Sequence, residues 1–209
     1  RDVYKRQEYA YSWGRQNWFE ASAREHRAVR EAAGLFDQSC FGKISVKGPD
    51  ARALLDRVSC NAIDVEPGRI VYTQWLNERG GIEADLTVTR LADDDFIVIT
   101  SCASTLHDLR HLRRMARPEE RVAIADISDE LAMLGLMGPQ ARRILAPLAS
   151  ADLSAEAFPF GASRSLEIAG VPVRAGRITY VGELGWEILV PAAQAGAIFD
   201  SFMEAGRPH

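Results

Sequence analysis

The 209-residue sequence predicts an α+β fold with two related halves, each combining an antiparallel β-sheet with helices. Residues 70–101 hold three strand-like stretches separated by short turns, a pattern typical of an antiparallel meander. A strand followed by Gly-Pro and a helix also occurs twice, as GPDARALL at 48–55 and as GPQARRIL at 138–145. This recurrence indicates a duplicated unit, and ligands often bind at the junction of two such units.

Three segments are distinguished along the chain. Residues 1–7 (RDVYKRQ) match no pattern further along, and we interpret them as a non-native leader rather than a targeting peptide. Residues 8–40 are predicted to be a helical lead-in, because 17–34 is rich in helix formers and Gly34 suits a C-cap. Residues 41–209 are predicted to form the main domain.

The first half is predicted to begin with a loop that enters a strand, in which Ile44 and Val46 alternate with polar residues. Gly48-Pro49 opens the next element, with Pro49 at the first helical position, and the helix continues over 50–59. After the meander, a second helix is predicted over 104–116. Its inward residues are predicted to be Leu106, Leu109, Leu112 and Met115.

The second half is predicted from strands at 122–127 and 131–138 onward, leading into the second Gly-Pro helix. A second repeated sequence links the two halves, since GRIVYT at 68–73 resembles GRITYV at 176–181. We therefore expect a Gly-Arg-Ile-x-Tyr strand in each half.

Composition excludes several classes of partner. The chain has 25 basic and 29 acidic residues and no basic stripe, so no nucleic-acid partner is expected. No apolar run approaches the ~18 residues of a membrane helix, so no membrane partner is expected either. Three widely spaced cysteines without a C-x-x-C pair indicate a reduced compartment with buried or idle thiols. An Arg-rich, Lys-poor composition favours a cytoplasmic location, with the mitochondrial matrix expected for a eukaryotic source.

The stretch GGIEADLTVTR at 80–90 is the most regular strand of the meander. Ile82, Ala84, Leu86 and Val88 alternate with a polar row that begins Glu83, Asp85, Thr87. This period of two predicts one apolar and one polar face. From alternation alone, the polar row either faces solvent or lines a binding cavity.

Two other groups of polar residues were considered as sites. His107 and His111 have the i, i+4 spacing of metal ligands, but arginines surround them and no third ligand follows, so we predict a solvated helix face and no metal site. In TYVGELGWEILV at 179–190, two glycines bracket a turn close to Tyr180, Trp186 and two carboxylates. That stretch is either a plain hairpin or a binding loop that can stack and hydrogen-bond a ligand.

Several blocks in order resemble the glycine-cleavage T-protein family over about residues 9–206. The blocks are GLFDQSCFGKISVKGPDA, YTQWLNERGGIEADLTVTR, LMGPQARRIL, FPFG and TYVGELGWEILV. The T-protein favours Y-T-G-E-D-G-[FV]-E, whereas YVGELGWE and the earlier SWGRQNWF are similar to the folate-binding portion of dimethylglycine and sarcosine dehydrogenases. The resemblance implies a T-protein-like folate-binding fold whose C-terminal barrel lies beyond this chain.

The resemblance also implies a tetrahydrofolate site. Glu187 matches the last Glu of the Y-x-G-E-x-G-x-E block, whose carboxylate would accept the donor edge of the pterin. Tyr180 opens the same block and would form a wall of the site. Phe41, in S-x-F-G-K, and Tyr72, in Y-T-x-x-L-N, match positions beside the pterin ring.

The same family implies a catalytic role for Asp85, which would orient folate and relay a proton as a folate nitrogen attacks a one-carbon electrophile. Thr87, on the same face, would be a further folate contact, and Glu83 is expected to be a solvated or rim residue. The substrate implied is an iminium or formaldehyde derived from an N-methyl amine. FAD and its flavin domain are expected only in a preceding part of the parent chain, because this sequence has no dinucleotide fingerprint.

Three functions remain open from the sequence. The chain is the tetrahydrofolate-dependent part of a dimethylglycine or sarcosine dehydrogenase-like oxidoreductase, an aminomethyltransferase of glycine cleavage, or a folate-binding module without catalysis. The family's later arginine-rich helix is absent from these residues, so the isolated chain is expected to be inactive even where its parent is an enzyme.

Overall fold

The computed structural model describes residues 11–209, and the leader predicted at 1–7 lies outside them. The described elements are α1 (Phe19–Glu31), β1 (Gly34–Asp37), β2 (Gly42–Lys47), α2 (Ala51–Val58), β3 (Ile70–Leu76), β4 (Ile82–Ala92), β5 (Asp95–Thr100), α3 (Thr105–Met115), β6 (Ala123–Asp126), β7 (Leu131–Met137), α4 (Ala141–Leu145), β8 (Ser163–Ile168), β9 (Val171–Gly176), β10 (Gly185–Pro191), a 3-10 turn (Ala192–Gln194) and α5 (Ala195–Gly206). The predicted meander is confirmed as β3, β4 and β5.

The ten strands form two five-stranded antiparallel sheets with the same strand order. The first sheet reads β6-β2-β5-β4-β3 and the second reads β1-β7-β10-β9-β8. Strands β2, β3, β4 and β5 correspond in chain order to β7, β8, β9 and β10, and corresponding strands have the same positions in the two sheets. Only the edge strands β6 and β1 do not correspond. The predicted duplication of an α+β unit is therefore confirmed, and neither sheet in the described part closes into a barrel.

Strand β1 interlocks the two halves, because it precedes the first sheet in sequence but pairs with β7 of the second. The prediction of a loop after α1 was wrong here, and so was Gly34 as C-cap. Helix α1 ends at Glu31 with Ala32 as its C-cap, and Gly34 is the first residue of β1. Four residues carry too little alternation to predict a strand whose partner lies about a hundred positions away.

The repeated Gly-Pro turn has the same backbone in both halves. Gly48 and Gly138 each have φ 129°, and each carbonyl accepts a hydrogen bond from the N–H of the first residue of the following helix, at 2.9 Å and 3.0 Å. Pro49 was predicted to be the first helical residue, but Asp50 is the N-cap and the helix begins at Ala51. The turn therefore needs glycine at the strand end, since a side chain rarely adopts this positive φ.

Gly138→Ala is expected to lower the free energy of unfolding by about 2–4 kcal/mol, since it adds backbone strain to a close contact. A Cβ at Gly138 would lie 2.5 Å from the carbonyl oxygen of Ala32. Urea denaturation measures the loss. The matched control is Gly196→Ala in α5, where a Cβ meets nothing within 4 Å and stability should hold or rise. Equal stabilities of the two variants would contradict the assignment.

Each sheet packs one face against its own helices. In the first core α2 and α3 cover Trp75 and Phe96, and in the second α4 and α5 cover Trp186 and Phe158. Leu106 was predicted to face inward but is 63% exposed, so α3 contributes Leu109 and Leu112 to the core, with Met115 packed at its edge. No helix in the described part combines the length and the apolar character needed to cross a membrane.

The second Gly-Arg-Ile-x-Tyr segment is not a strand, contrary to prediction. Ile70 begins β3, whereas Gly176 ends β9 and the residues up to Gly185 form a loop with Gly182 at φ 83°. Both segments instead flank the same chain stretch, 161–163. The N–H of Ile70 donates to the carbonyl of Gly161 at 2.8 Å, and the N–H of Gly161 donates to the carbonyl of Arg177 at 2.8 Å. This backbone seam joins the two sheets.

Candidate functional site

The sheet faces not covered by helices approach each other around a small cavity of about 30 Å³. Its lining comes from both sheets and is mostly apolar: Ile70, Thr87, Thr89, Ile97, Ile99, Met133, Ser163, Arg174, Gly176, Ile178, Glu187 and Leu189. This volume is enough for about one water molecule. Two of the predicted site residues, Thr87 and Glu187, are thus brought together from separate halves of the chain.

Glu187 is a half-buried carboxylate, and no basic side chain among residues 11–209 forms an ion pair with it. It lies on β10, where its cross-strand neighbours are Gly135 on β7 and Gly176 on β9. The space over the two glycines is taken by other side chains, since a Cβ at Gly135 would lie 2.5 Å from Gln38 Oε1 and a Cβ at Gly176 would lie 2.7 Å from Ile70 Cδ1. No hydrogen bond or ion pair joins this carboxylate to another side chain in the described part of the chain. Burial raises the pKa of Glu187 to about 6, because the site stabilises the charged carboxylate less well than water does.

Asp85 is held from the neighbouring strand by two donors. The Tyr72 hydroxyl donates to Asp85 Oδ2 at 3.0 Å, and Gln74 Nε2 donates to Asp85 Oδ1 at 3.0 Å. Gln74 lies directly opposite Asp85 in the β3–β4 ladder. The hydrogen bond to Asp85 raises the pKa of Tyr72, which therefore remains a donor at neutral pH. The carboxylate is exposed and has one fixed orientation at the end of the gap between the sheets.

The remaining predicted residues lie at the same end of the sheets. Tyr180 is 91% exposed in the β9–β10 loop and contributes electrostatically to the raised pKa of Tyr72. Phe41 is half-buried immediately before β2, and neither a hydrogen bond nor a ring contact joins it to the other predicted residues in the described part. The ladders pair Thr87 with Ile99 and Ile99 with Lys43, which sets Phe41 about 10 Å from β4 across two strand spacings.

The polar row of β4 does not share one face. The β3–β4 register shifts at Trp75, and Glu83 accepts a hydrogen bond from Asn77 Nδ2 at 2.8 Å and lies 3.3 Å from His107 Nε2 of α3. Helix α3 covers the face opposite Asp85. Glu83 was expected on the same face as Asp85, and that was wrong, because a bulge turns it toward the helix, where the Asn77 hydrogen bond lowers its pKa. Its side chain remains 22% exposed, which fits the expected solvated or rim position.

His111 also departs from prediction. Its side chain was expected on a solvated face but is 2% exposed and stacks on Trp75, with ring centroids 6.2 Å apart. Burial lowers the pKa of His111, so the ring is neutral in the fold at pH 7. Within residues 11–209, no group of three His, Cys, Asp or Glu side chains is arranged to hold a metal ion.

Sequence reasoning overlooked three contributors to the site. Gln74 could have been found, because it alternates with Tyr72 on the face of β3 that pairs with Asp85. Gly135 and Gly176 gave no signal, since their role depends on the strand order of the second sheet. That order places both glycines beside Glu187.

Comparison with known proteins gives a family match over most of the chain. The model described as the GCVT N-terminal domain matches residues 3–209. The 4-methylaminobutanoate oxidase (formaldehyde-forming) of Paenarthrobacter nicotinovorans is 41% identical over 199 residues, which are 95% of this chain and 24% of that protein. The mitochondrial dimethylglycine dehydrogenase of Rattus norvegicus is 40% identical over 201 residues, 96% of this chain and 23% of that protein.

A solved structure agrees with the family match. The glycine cleavage system aminomethyltransferase T from Bartonella henselae superposes with a TM-score of 0.77 and 28% identity, over 94% of this chain and 53% of that one. The chain therefore spans about a quarter of the length of the two oxidoreductases and about half of the aminomethyltransferase.

Proposed function

The chain belongs to the GCVT N-terminal domain family, and we propose that it is the tetrahydrofolate-dependent one-carbon transfer part of an FAD-dependent N-methyl amine dehydrogenase. In this proposal the flavin domain oxidises an N-methyl group, and this chain's site captures the resulting iminium or formaldehyde carbon on tetrahydrofolate. The product is methylenetetrahydrofolate. A cytoplasmic location, or the mitochondrial matrix in a eukaryote, is part of the same proposal.

The observation that carries the proposal is the environment of Glu187. A carboxylate that is half-buried, unpaired and flanked by Gly135 and Gly176 lacks the donors that would stabilise its charge. The amino group and ring N–H of a pterin form a flat pair of donors that a carboxylate accepts with both oxygens. Pterin binding would thus supply the hydrogen bonds that the protein itself withholds from Glu187.

The residues around Glu187 fit a pterin chemically, but the cavity of about 30 Å³ is too small to hold one. The ring must enter from the open end, where Tyr72 and Tyr180 are 56% and 91% exposed. Exposed aromatic rings at the mouth of a site are suited to stack on a flat heterocycle. Thr87 would contact the ring from the first sheet, and Phe41 would bound the same end.

Asp85 would accept the proton that the reactive nitrogen of tetrahydrofolate loses when it forms a bond to the one-carbon unit. Tetrahydrofolate supplies the nucleophilic nitrogen when bound. Two hydrogen bonds, from Tyr72 and Gln74, hold the Asp85 carboxylate in one orientation at the end of the intersheet gap. A base held in this way needs no reorientation before it accepts a proton, which is the usual advantage of a positioned general base.

Two further functions are compatible with the family. A glycine-cleavage aminomethyltransferase is favoured by the superposition on the Bartonella henselae structure. The two oxidoreductases are 41% and 40% identical to this chain and an aminomethyltransferase of Listeria monocytogenes is 37% identical, so the preference for the dehydrogenase-like proposal rests on the SWGRQNWF and YVGELGWE blocks. A folate-binding module without catalysis would need the Glu187 environment to bind the pterin, but it would not need the oriented carboxylate of Asp85.

Titration of the chain with tetrahydrofolate tests the proposal, and we expect saturable quenching of tryptophan fluorescence because Trp186 precedes Glu187 on the same strand, one sheet thickness from the site. The pterin-free fragment p-aminobenzoylglutamate is the control ligand and should bind far more weakly. Circular dichroism confirms that the fold is intact during the titration. Absence of saturation in a folded sample, or equal binding of both ligands, would contradict a pterin site.

A further inference from the structure

Two cysteines lie at the same end of the first sheet. The β2–β5 ladder ends with Gly42 opposite Thr100, and Cys40 and Cys102 each lie two residues beyond this pair, in the turns that precede β2 and α3. Partial burial and the neighbouring Cys102 thiol raise the pKa of Cys40, which indicates that the thiol groups interact.

The thiols are also accessible. The sequence predicted buried or idle cysteines, but Cys40, Cys60 and Cys102 are all exposed. An exposed pair of adjacent thiols can react with a small oxidant and then with each other, because the second thiol is already close to the first.

The turn that carries Cys40 is held from beneath by a buried ammonium group. Lys43 has no exposed surface, and its Nζ donates to the carbonyls of Ser39 at 2.8 Å and Phe41 at 2.9 Å. These carbonyls lie on either side of Cys40. Burial lowers the pKa of Lys43, and the attraction to Cys40 acts in the opposite direction and favours the ammonium.

The opposite side is fixed by the start of α3. The Thr105 hydroxyl donates to the carbonyl of Ser101 at 3.0 Å and lies 3.4 Å from that of Cys102. Both turns are thus tied to the fold by hydrogen bonds that leave the sulfur atoms free.

We propose that Cys40 and Cys102 are a reversible dithiol–disulfide pair. The Cys40 thiolate attacks one sulfur of a small disulfide such as oxidised glutathione, and the other sulfur leaves as a thiolate. The Cys102 thiolate then attacks the Cys40 sulfur and expels the second glutathione. The two cysteines are oxidised, and the small disulfide is reduced to two thiols that take up the two cysteine protons. The bond joins the turn beside Phe41 to the turn before α3.

Oxidised glutathione at pH 8 tests this proposal on three matched variants, because thiolates are the reacting species. Cys60→Ser should lose both remaining free thiols, yield a peptide cross-linked between Cys40 and Cys102, and recover its thiols with dithiothreitol. Its Tm should rise by about 5 °C or more on oxidation, because the cross-link closes a loop of about 60 residues.

Cys40→Ser and Cys102→Ser, each combined with Cys60→Ser, are the contrasting variants, and each should carry a stable glutathione adduct on the one cysteine that is left. All three substitutions lie at exposed positions, so folding should be retained, and circular dichroism checks this. The proposal is overturned if Cys60→Ser instead accumulates two glutathione adducts, forms intermolecular dimers or retains both free thiols.

Discussion

Glu187→Gln is expected to weaken tetrahydrofolate binding by about 100-fold or more, because the amide loses the charge and one of the two acceptor oxygens that face the pterin donors. Charge-assisted hydrogen bonds of this kind contribute about 1.5–3 kcal/mol each. The same substitution should make the free protein more stable at neutral pH. The two effects have one cause, since the unpaired carboxylate is costly to bury until a ligand supplies donors.

The contribution of Glu187 to the stability of the free protein falls as the pH rises. Burial raises the pKa of Glu187 from 4.5 to about 6. Between these values the folded chain binds more protons than the unfolded chain, so this residue lowers stability as pH rises through the interval. The full penalty, about 1–2 kcal/mol, is present above pH 6. Glu187→Gln removes it, so the gain in stability should be absent near pH 4.5 and complete at pH 7.5.

Urea denaturation at pH 4.5 and 7.5, with tetrahydrofolate titration at pH 7.5, measures both effects. Glu167→Gln is the matched control, because Glu167 is an exposed carboxylate on β8. We expect that control to keep its folate affinity and its stability at both pH values. A Glu187→Gln variant that binds folate normally, or that is destabilised at pH 7.5, would contradict the role given to this carboxylate.

Local alternation predicted the parts of the fold whose information is local. Strands β3 to β5 and the buried face of Ala84, Leu86 and Val88 follow from residues adjacent in sequence. Strand β1 was missed because its stability comes from pairing with β7, and the path of Glu83 was missed because one bulge reverses the side-chain direction. A period of two contains no information about either effect.

The candidate site, like the fold, was only partly predictable from local sequence. Family resemblance selected Asp85 and Glu187, and the structure adds why each differs from an ordinary carboxylate. Asp85 accepts two hydrogen bonds from the neighbouring strand β3, which the sequence predicted as part of the meander. Glu187 has an apolar cavity lined from the other sheet and glycines on two strands, so its raised pKa depends on contacts between distant segments. Such contacts become apparent only once the order of both sheets is known.

Asp85→Asn is expected to lower the rate of one-carbon capture by about 10²–10⁴-fold, since an amide cannot accept the proton released at the folate nitrogen. Folate affinity should change by less than about threefold, because the acceptor for the Tyr72 hydroxyl is kept and binding energy is assigned to Glu187. The Gln74 amide can rotate to accept a hydrogen bond from the introduced NH₂ group. The local geometry is therefore retained while the base is removed.

In the parent protein, the rate of methylenetetrahydrofolate formation from formaldehyde and tetrahydrofolate, above the rate without protein, measures this effect, because the isolated chain is expected to be inactive. The parent protein with its flavin domain provides the corresponding yield from an N-methyl amine. Glu83→Gln is the matched control, because Glu83 lies two residues away on β4 but faces α3, and its capture rate should match wild type. If Asp85→Asn captures carbon at the wild-type rate, Asp85 is not the base. If wild type binds folate but accelerates nothing even within its parent, the domain is a binding module.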